Sequence, residues 1–326
     1  MKLSLYDDSM NRIAIIGERF VSCLWSEGYN TTQPFTVELQ ATSEYKQKVR
    51  PDYYIGRDDR KTLMVIKTVM IMGGIITASG SQAGRCLDDV PFIGTIQEGS
   101  VIVSSIKSSY DSSGKFPMIE FADSDLTDTY SHQISNKSFL ELCQTMCQDS
   151  DVGFRTTRKN GGIVAEFYKP EENPNLIFSE NYHNLTVNEL ALSTENWKNY
   201  AIVLGEGEGT ARTRVDVDQT NGKQKRSLIV DARDLSREEA ETDEEYTARL
   251  TARGNEKLLE CQKTWECAFT PLSGQFGKRF DLGDILTVLL PDYGLKLKAR
   301  VSRFTQKEQR NQTETTIEVG SITITR

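Results

Sequence analysis

Several groups of residues have types and spacing that chemistry could use. Gly205, Gly207 and Gly209 follow an apolar stretch as GxGxG. A dinucleotide site needs GxGxxG opening a helix, whose first N–H groups meet the pyrophosphate. Here residues 210–217 alternate like a strand and no GxxxxGK(S/T) loop occurs, so the glycines read as a turn or bulge. Asp216, Asp218 and Asn221-Gly222 hint at a calcium loop, but Thr220 stands where the third ligand belongs. Glycoside hydrolysis needs two carboxylates facing across a sugar, about 5–9.5 Å apart. Asp281 with Asp284, and Glu206 with Glu208, are the nearest pairs in sequence, and any acidic chain offers such pairs.

Cys143 and Cys147 stand four apart, on one face of a helix, which is half a metal site or a small apolar pair in a core. The chain has two histidines, His132 and His183, and no CxxC spacing, so the core reading is favoured. His183 lies in a loop beside a strand and reads as a surface or hydrogen-bonded residue. No catalytic residue, cofactor or metal ligand is expected.

The elements that would position such groups are mostly strands. Residues 2–6 and 12–17 flank a polar turn, a hairpin signal. Strands are expected near 20–25, 35–39 and 62–78, with a turn-like stretch over 52–60, a short helix in 81–90, and strands again at 101–106 and 116–121. Residues 110–113 read as loop. The period changes over 136–150: Phe139, Leu142, Cys143, Met146 and Cys147 define one buried helix face, with Ser138 and Glu141 spaced as a capping box. Lys159-Asn160-Gly161-Gly162 predicts a hairpin turn. Residues 200–204, 210–218 and 226–232 read as antiparallel strands, the last two joined by an Asn221-Gly222 hairpin whose solvated shoulder carries Lys223, Lys225 and Arg226. A second helix lies within 236–263, capped by Ser236 with Glu239 or Thr242 with Glu245. Gly254 inside it allows close packing or marks a break. The remainder is β.

The chain of 326 residues carries a formal net charge of −8, with 37% hydrophobic and 26% charged residues. That balance is globular and disfavours wrapping of nucleic acid, which needs a dense basic face. The N-terminus lacks the apolar core of a signal peptide. The strongest membrane candidate, Thr68–Ala78, is glycine-interrupted and short of the roughly 20 residues a span needs. Synthesis in a cytoplasm is expected, and the sequons at Asn30, Asn136, Asn184 and Asn311 would be idle there.

Four stretches resemble a phage tail family: residues 25–39; SGSQAGRCLDDV at 79–90; VLGEGEGTARTR with SLIVDARDL; and RGNEKLLE at 253–260 followed by FGKRFDLGDILTV at 276–288. The last two pairs are the more specific. Asp88-Asp89 departs from the leucine and basic residue expected there. The chain is similar to the siphophage Gp-thirty-seven-like tail proteins, related to tail and baseplate hubs and to the N-terminal half of VgrG spikes. The resemblance implies a mainly β (β-rich α+β) fold: two tube-like antiparallel β-barrel domains with two or three inserted helices. The first would be 1–125 completed by 185–232, with a helix-plus-hairpin segment at 126–184 and a helix and second tube-like domain at 233–326. It implies a non-enzymatic structural hub forming a homotrimeric ring that joins tail tube to tip or spike. Its partners would be the distal tail or tube protein, the tape-measure protein and the tip or spike, with DNA only as passing cargo. Its place would be the virion tail, after assembly in the host bacterial cytoplasm. The alternative is a receptor- or glycan-binding tail-tip module, with Tyr110, Tyr130 and Tyr182 as loop aromatics; a cell-wall hydrolase is the less favoured third.

Overall fold

A computed structural model describes all residues except 114–117, 160, 238–240, 272–274, 310–311 and 326. The chain divides into two compact units, one of residues 1–189 with 267–326 and one of residues 190–266.

The larger unit opens with the expected hairpin, β1 (Leu3–Tyr6) and β2 (Arg12–Gly17). Asp7 closes its turn by accepting from the Ser9 and Asn11 N–H groups. β3 (Ser22–Gly28) and β4 (Pro34–Gln40) follow, and in β4 Phe35, Val37 and Leu39 alternate inward. After the short helix α1 (Ser43–Lys48) comes β5 (Tyr54–Arg57), a buried strand inside the stretch expected to be a turn. β6 (Leu63–Met72) and β7 (Ile75–Gln82) form a hairpin about Gly73-Gly74, both at positive φ.

The segment that follows packs around one apolar cluster. It holds a 3-10 helix at Ala83–Asp89, β8 (Pro91–Ile96), α2 (Ile102–Asp111), β9 (Ile119–Phe121), β10 (Ile134–Ser138), α3 (Phe139–Asp149), β11 (Gly153–Lys159) and β12 (Gly162–Tyr168). α2 corrects the strand expected at 101–106. Ile102, Val103, Ile106 and Tyr110 recur at helical spacing and all are buried, so packing overrides the strand preference of β-branched residues. Tyr110 meets Phe139 edge-on at 5.1 Å. α3 is capped as expected, with Ser138 accepting from the Glu141 N–H. β11 and β12 pair across Gly161 (φ +79); Asn160 lies outside the described residues.

β13 (Glu172–Ser179) and β14 (Leu185–Ser193) return to the first sheet. β15 (Tyr200–Leu204), β16 (Arg214–Asp218), β17 (Ser227–Asp231) and α4 (Asp243–Glu260) build the smaller unit. β18 (Thr264–Pro271), β19 (Ile285–Leu290), β20 (Leu295–Gln309) and β21 (Gln312–Thr325) complete the chain.

The main sheet has 13 strands in the order β14-β18-β21-β20-β3-β4-β7-β6-β5-β1-β2, with β19 joining β20 to β13. One edge of β20 is shared: residues 295–300 pair with β19 and 303–309 with β3. The molecule is mainly β, as expected, but its sheets are open. No pairing joins β14 to β2 among the described residues, so the expected closed barrels are absent from the single chain.

In the smaller unit the order is β16-β15-β17, and β15 runs antiparallel to β16 but parallel to β17. This corrects the antiparallel reading and the hairpin at Asn221-Gly222. β16 and β17 never pair; Asn221 and Gly222, at φ 50° and 78°, turn a connection that crosses over β15. β15 takes the centre because it is the most apolar strand, with Ala201 and Val203 fully buried, while both flanking strands expose alternate residues.

Candidate functional site

A concavity of ≈ 710 Å³ lies in the larger unit against β3, β5, β20 and residues 276–282. Along β3 the side chains of Trp25 and Glu27 share a face, and both are buried. Glu27 Oε1 accepts from Trp25 Nε1 (2.7 Å) and lies 2.7 Å from Arg60 Nε, and its Oε2 accepts from Thr62 Oγ1 (2.9 Å) and Arg60 Nη2 (2.8 Å). Burial works against the charge of Arg60, but Glu27, with Asp281 and Asp59, outweighs it and raises the guanidinium pKa. Arg60 also sits 4.7 Å and 5.0 Å from the rings of Phe276 and Phe304, which stack on each other at 4.4 Å.

Arg57 is 2% exposed. Its Nε and Nη2 hold Asp59 at 2.9 and 2.6 Å, Nη2 also reaches Gln306 Oε1 at 2.8 Å, and the guanidinium lies 5.4 Å over Trp25. Burial acts to raise the Asp59 pKa, and the Arg57 hydrogen bond and charge bring it below the ordinary value. Arg57 Nη1 is buried without a partner, a state that costs about 1–3 kcal/mol, more for a charged group. Arg155, also in the lining, covers the Tyr168 ring at 4.6 Å, pairs with Glu166 at 3.2 Å and lies 4.0 Å from Asp281. Lys61 and Lys278 line the cleft, are exposed and have no ion-pair partner among the described residues.

Leu282 lines this cleft, and Gly283 and Asp284 follow it behind the lining. Asp284 accepts from the Glu171 and Asp281 N–H groups at 2.9 and 2.8 Å. Burial leads the influences on Asp284 and raises its pKa. Gly283 has φ +89°, and a Cβ there would stand 2.4 Å from the Tyr29 ring. Tyr168 Oη donates to the Leu282 carbonyl. The carboxylate pair Asp281 and Asp284 is thus held by backbone amides and arginines.

In the smaller unit the GxGxG run is a turn. A Cβ on Gly205 would fall 2.5 Å from Tyr246 Oη, which accepts from the Glu206 N–H and donates to the Leu235 carbonyl. Arg212 ties the turn by donating to the carbonyls of Gly205 and Leu204 and to Asp231. Gly254 serves close packing: a Cβ would lie 2.7 Å from Val217 and 2.8 Å from Val203. Thr242 and Glu245 form the full capping box of α4, while Glu239 lies outside the described residues.

The other candidates are dispersed. Cys143 and Cys147 are fully buried in the core, and burial pushes both thiols up. No metal-competent cluster occurs among the described residues. Asp216 takes Tyr200 Oη and Arg214, and Asp218 caps the Thr220 N–H. Tyr110 and Tyr130 are 1% and 3% exposed, so of the three loop aromatics only Tyr182 is at the surface. Asn30 is also buried, bridging Val152 and Phe154. Sequence reasoning missed Glu27, Arg57 and Arg60; the one signal was a charge within a strand, for Glu27 in β3 and Arg57 in β5, while Arg60 lies between β5 and β6. No described helix is long and apolar enough to cross a membrane.

The fold class is one shared with phage tail and baseplate proteins. A tail protein from Neisseria meningitidis MC58 superposes with TM-score 0.62 at 10% identity, covering 98% of this chain and 96% of that one. The 43 kDa tail protein of prophage MuSo2 from Shewanella oneidensis gives 0.61 at 14%, covering 98% and 97%. A chain of the phage P2 baseplate in its activated conformation gives 0.51 at 6%, covering 98% of both. Residues 99–321 match the Siphovirus ReqiPepy6 Gp37-like protein family, and the chain belongs to it. No curated protein matches.

Proposed function

We propose that this chain is a non-enzymatic structural hub of a phage or phage-derived tail, a homotrimeric ring subunit that joins the tail tube to the tip or spike. An unguarded sheet margin carries the reading. β6 pairs with β5 only over Leu63–Val65, and its outer edge over Thr68–Met72 has no strand partner among the described residues. There Met70, Ile71 and Met72 are 53%, 52% and 73% exposed. Isolated proteins guard such edges with charge, proline or a cover, and residues 68–72 carry neither charge nor proline. A sister copy in a cyclic ring supplies the cover.

The main sheet also supports two modules per chain. β1–β7 form one half and β13, β14 and β18–β21 the other, joined through β3 and β20. Three chains then present six modules to a sixfold tube and a threefold face to the tip. Tube, tape-measure and tip proteins are the partners, DNA passes through, and the site of action is the virion tail.

Native mass spectrometry of the purified chain is expected to give a trimer. A strict monomer at high concentration that also fails to bind tube or tip proteins rejects the proposal.

A further inference from the structure

We propose that the cleft against β3, β5 and β20 is a binding site for an organic anion bearing carboxylate or phosphate groups. The proposal stands on the larger unit alone and does not depend on the trimer. The cleft, at ≈ 710 Å³, falls within the range of about 300–1,000 Å³ typical of small-ligand sites. A bare inorganic ion would leave most of it empty.

Charge selects the ligand class. Five cationic side chains line the cleft (Arg57, Arg60, Lys61, Arg155 and Lys278) against three carboxylates (Glu27, Asp59 and Asp281), and with Glu166 taking Arg155 at 3.2 Å from outside the lining the balance is still one positive charge. This occurs in a chain whose formal net charge is −8. The three carboxylates are already engaged: Glu27 by Arg60, Asp59 by Arg57, and Asp281 at 3.6 and 4.0 Å from Arg60 and Arg155. Lys61 and Lys278 are left over, exposed and without an ion-pair partner among the described residues.

Arg57 also belongs to the cleft lining and is almost wholly buried, with its Nε and Nη2 already turned on Asp59; it adds positive charge beneath the site, and the exposed lysines are the groups free to meet a carboxylate or phosphate. Tyr168, Phe276 and Phe304 add ring surface for the body of the ligand. A cation would meet the charge excess and a neutral ligand would leave it uncompensated, so an anion is the complement.

Isothermal titration of the full chain tests this with citrate, inorganic phosphate and a hexaglutamate peptide as probes. At least one probe is expected to bind saturably, more weakly as salt is added. The double variant Lys61→Ala/Lys278→Ala, at exposed positions, is expected to fold normally by circular dichroism and to lose about tenfold or more in affinity. Tighter binding of the peptide identifies an acidic protein segment as the source of the anion; tighter binding of citrate or phosphate identifies a free small molecule. No binding of any probe up to about 10 mM, or equal affinity in the lysine double variant, overturns the proposal.

Discussion

At the scale of single residues, two glycines explain why the specific motifs are what they are. Gly283 in Leu282-Gly283-Asp284 combines a positive φ with an approach to Tyr29 that leaves no room for a side chain. Gly283→Ala meets both penalties, so a loss of about 2–4 kcal/mol is expected by urea denaturation of the larger unit; an unchanged midpoint refutes this role. Gly254 acts differently: its helical backbone tolerates any residue, and the two valines 2.7 and 2.8 Å from the missing Cβ demand glycine. The sequence offered close packing or a break there, and α4 runs unbroken through it. Neither glycine's neighbour was legible beforehand, because Tyr29 and Gly283 are far apart in the chain.

At the scale of elements, exposure along β6 and β7 is the point of consequence. The apolar run that looked like a membrane candidate is a hairpin with three large side chains in solvent. If a sister copy covers it, Met70→Lys/Met72→Lys should abolish trimerisation while leaving the melting temperature of the monomer within a few degrees, since surface changes usually cost within about ±0.5 kcal/mol. Sedimentation that still shows trimer rules out this edge as the contact. The smaller unit illustrates a different limit. Asn199 is 4% exposed and holds the crossover from both sides, donating to the Gln224 carbonyl and accepting from the Arg226 N–H. Lys225 and Arg226, read as a hairpin shoulder, instead lie over the rings of Tyr200 and Trp197 at 3.2 and 5.0 Å.

At the scale of the whole molecule, acid should act unevenly on the two units. In the smaller one, Asp231 is held far below the usual range by hydrogen bonds from Arg233 and Arg212, Asp234 is lowered by Arg253, and Asp216 by Arg214. Hydrogen bonds from Thr220 lower Asp218, and the Thr242 cap lowers Glu245. A carboxylate whose folded pKa is depressed stabilises the fold above its unfolded pKa and loses that contribution as pH falls through the folded value. The window opens near pH 4, from ordinary values of 3.8 and 4.5. In the larger unit fewer carboxylates are lowered (Glu44 by Lys48, Asp123 by Lys107, and Asp59 by Arg57 against its burial), and Asp284 has the opposite sign: with its folded pKa raised by burial, its effect favours the fold at low pH and is lost as pH rises. Hydrogen exchange at decreasing pH should therefore show residues 190–266 losing protection first; simultaneous loss in both units, or earlier loss in the larger, contradicts this.

The sequence by itself determined what depends on near neighbours. The β-rich class, the α3 face, the α4 cap and the first hairpin all follow from side-chain period and turn chemistry within a few residues. The motifs that tie the chain to its family are local for the same reason. Tertiary structure alone decided what depends on distant partners. α2 became a helix because Phe121 and Phe139 receive its aromatic face. β15 became central because two half-polar strands needed an apolar one between them. The cleft exists because β3, β5 and β20 bring Glu27, Arg57 and Gln306 together across more than 240 residues of chain. Period and propensity are properties of a segment; strand order and the meeting of buried charges are properties of the closed core.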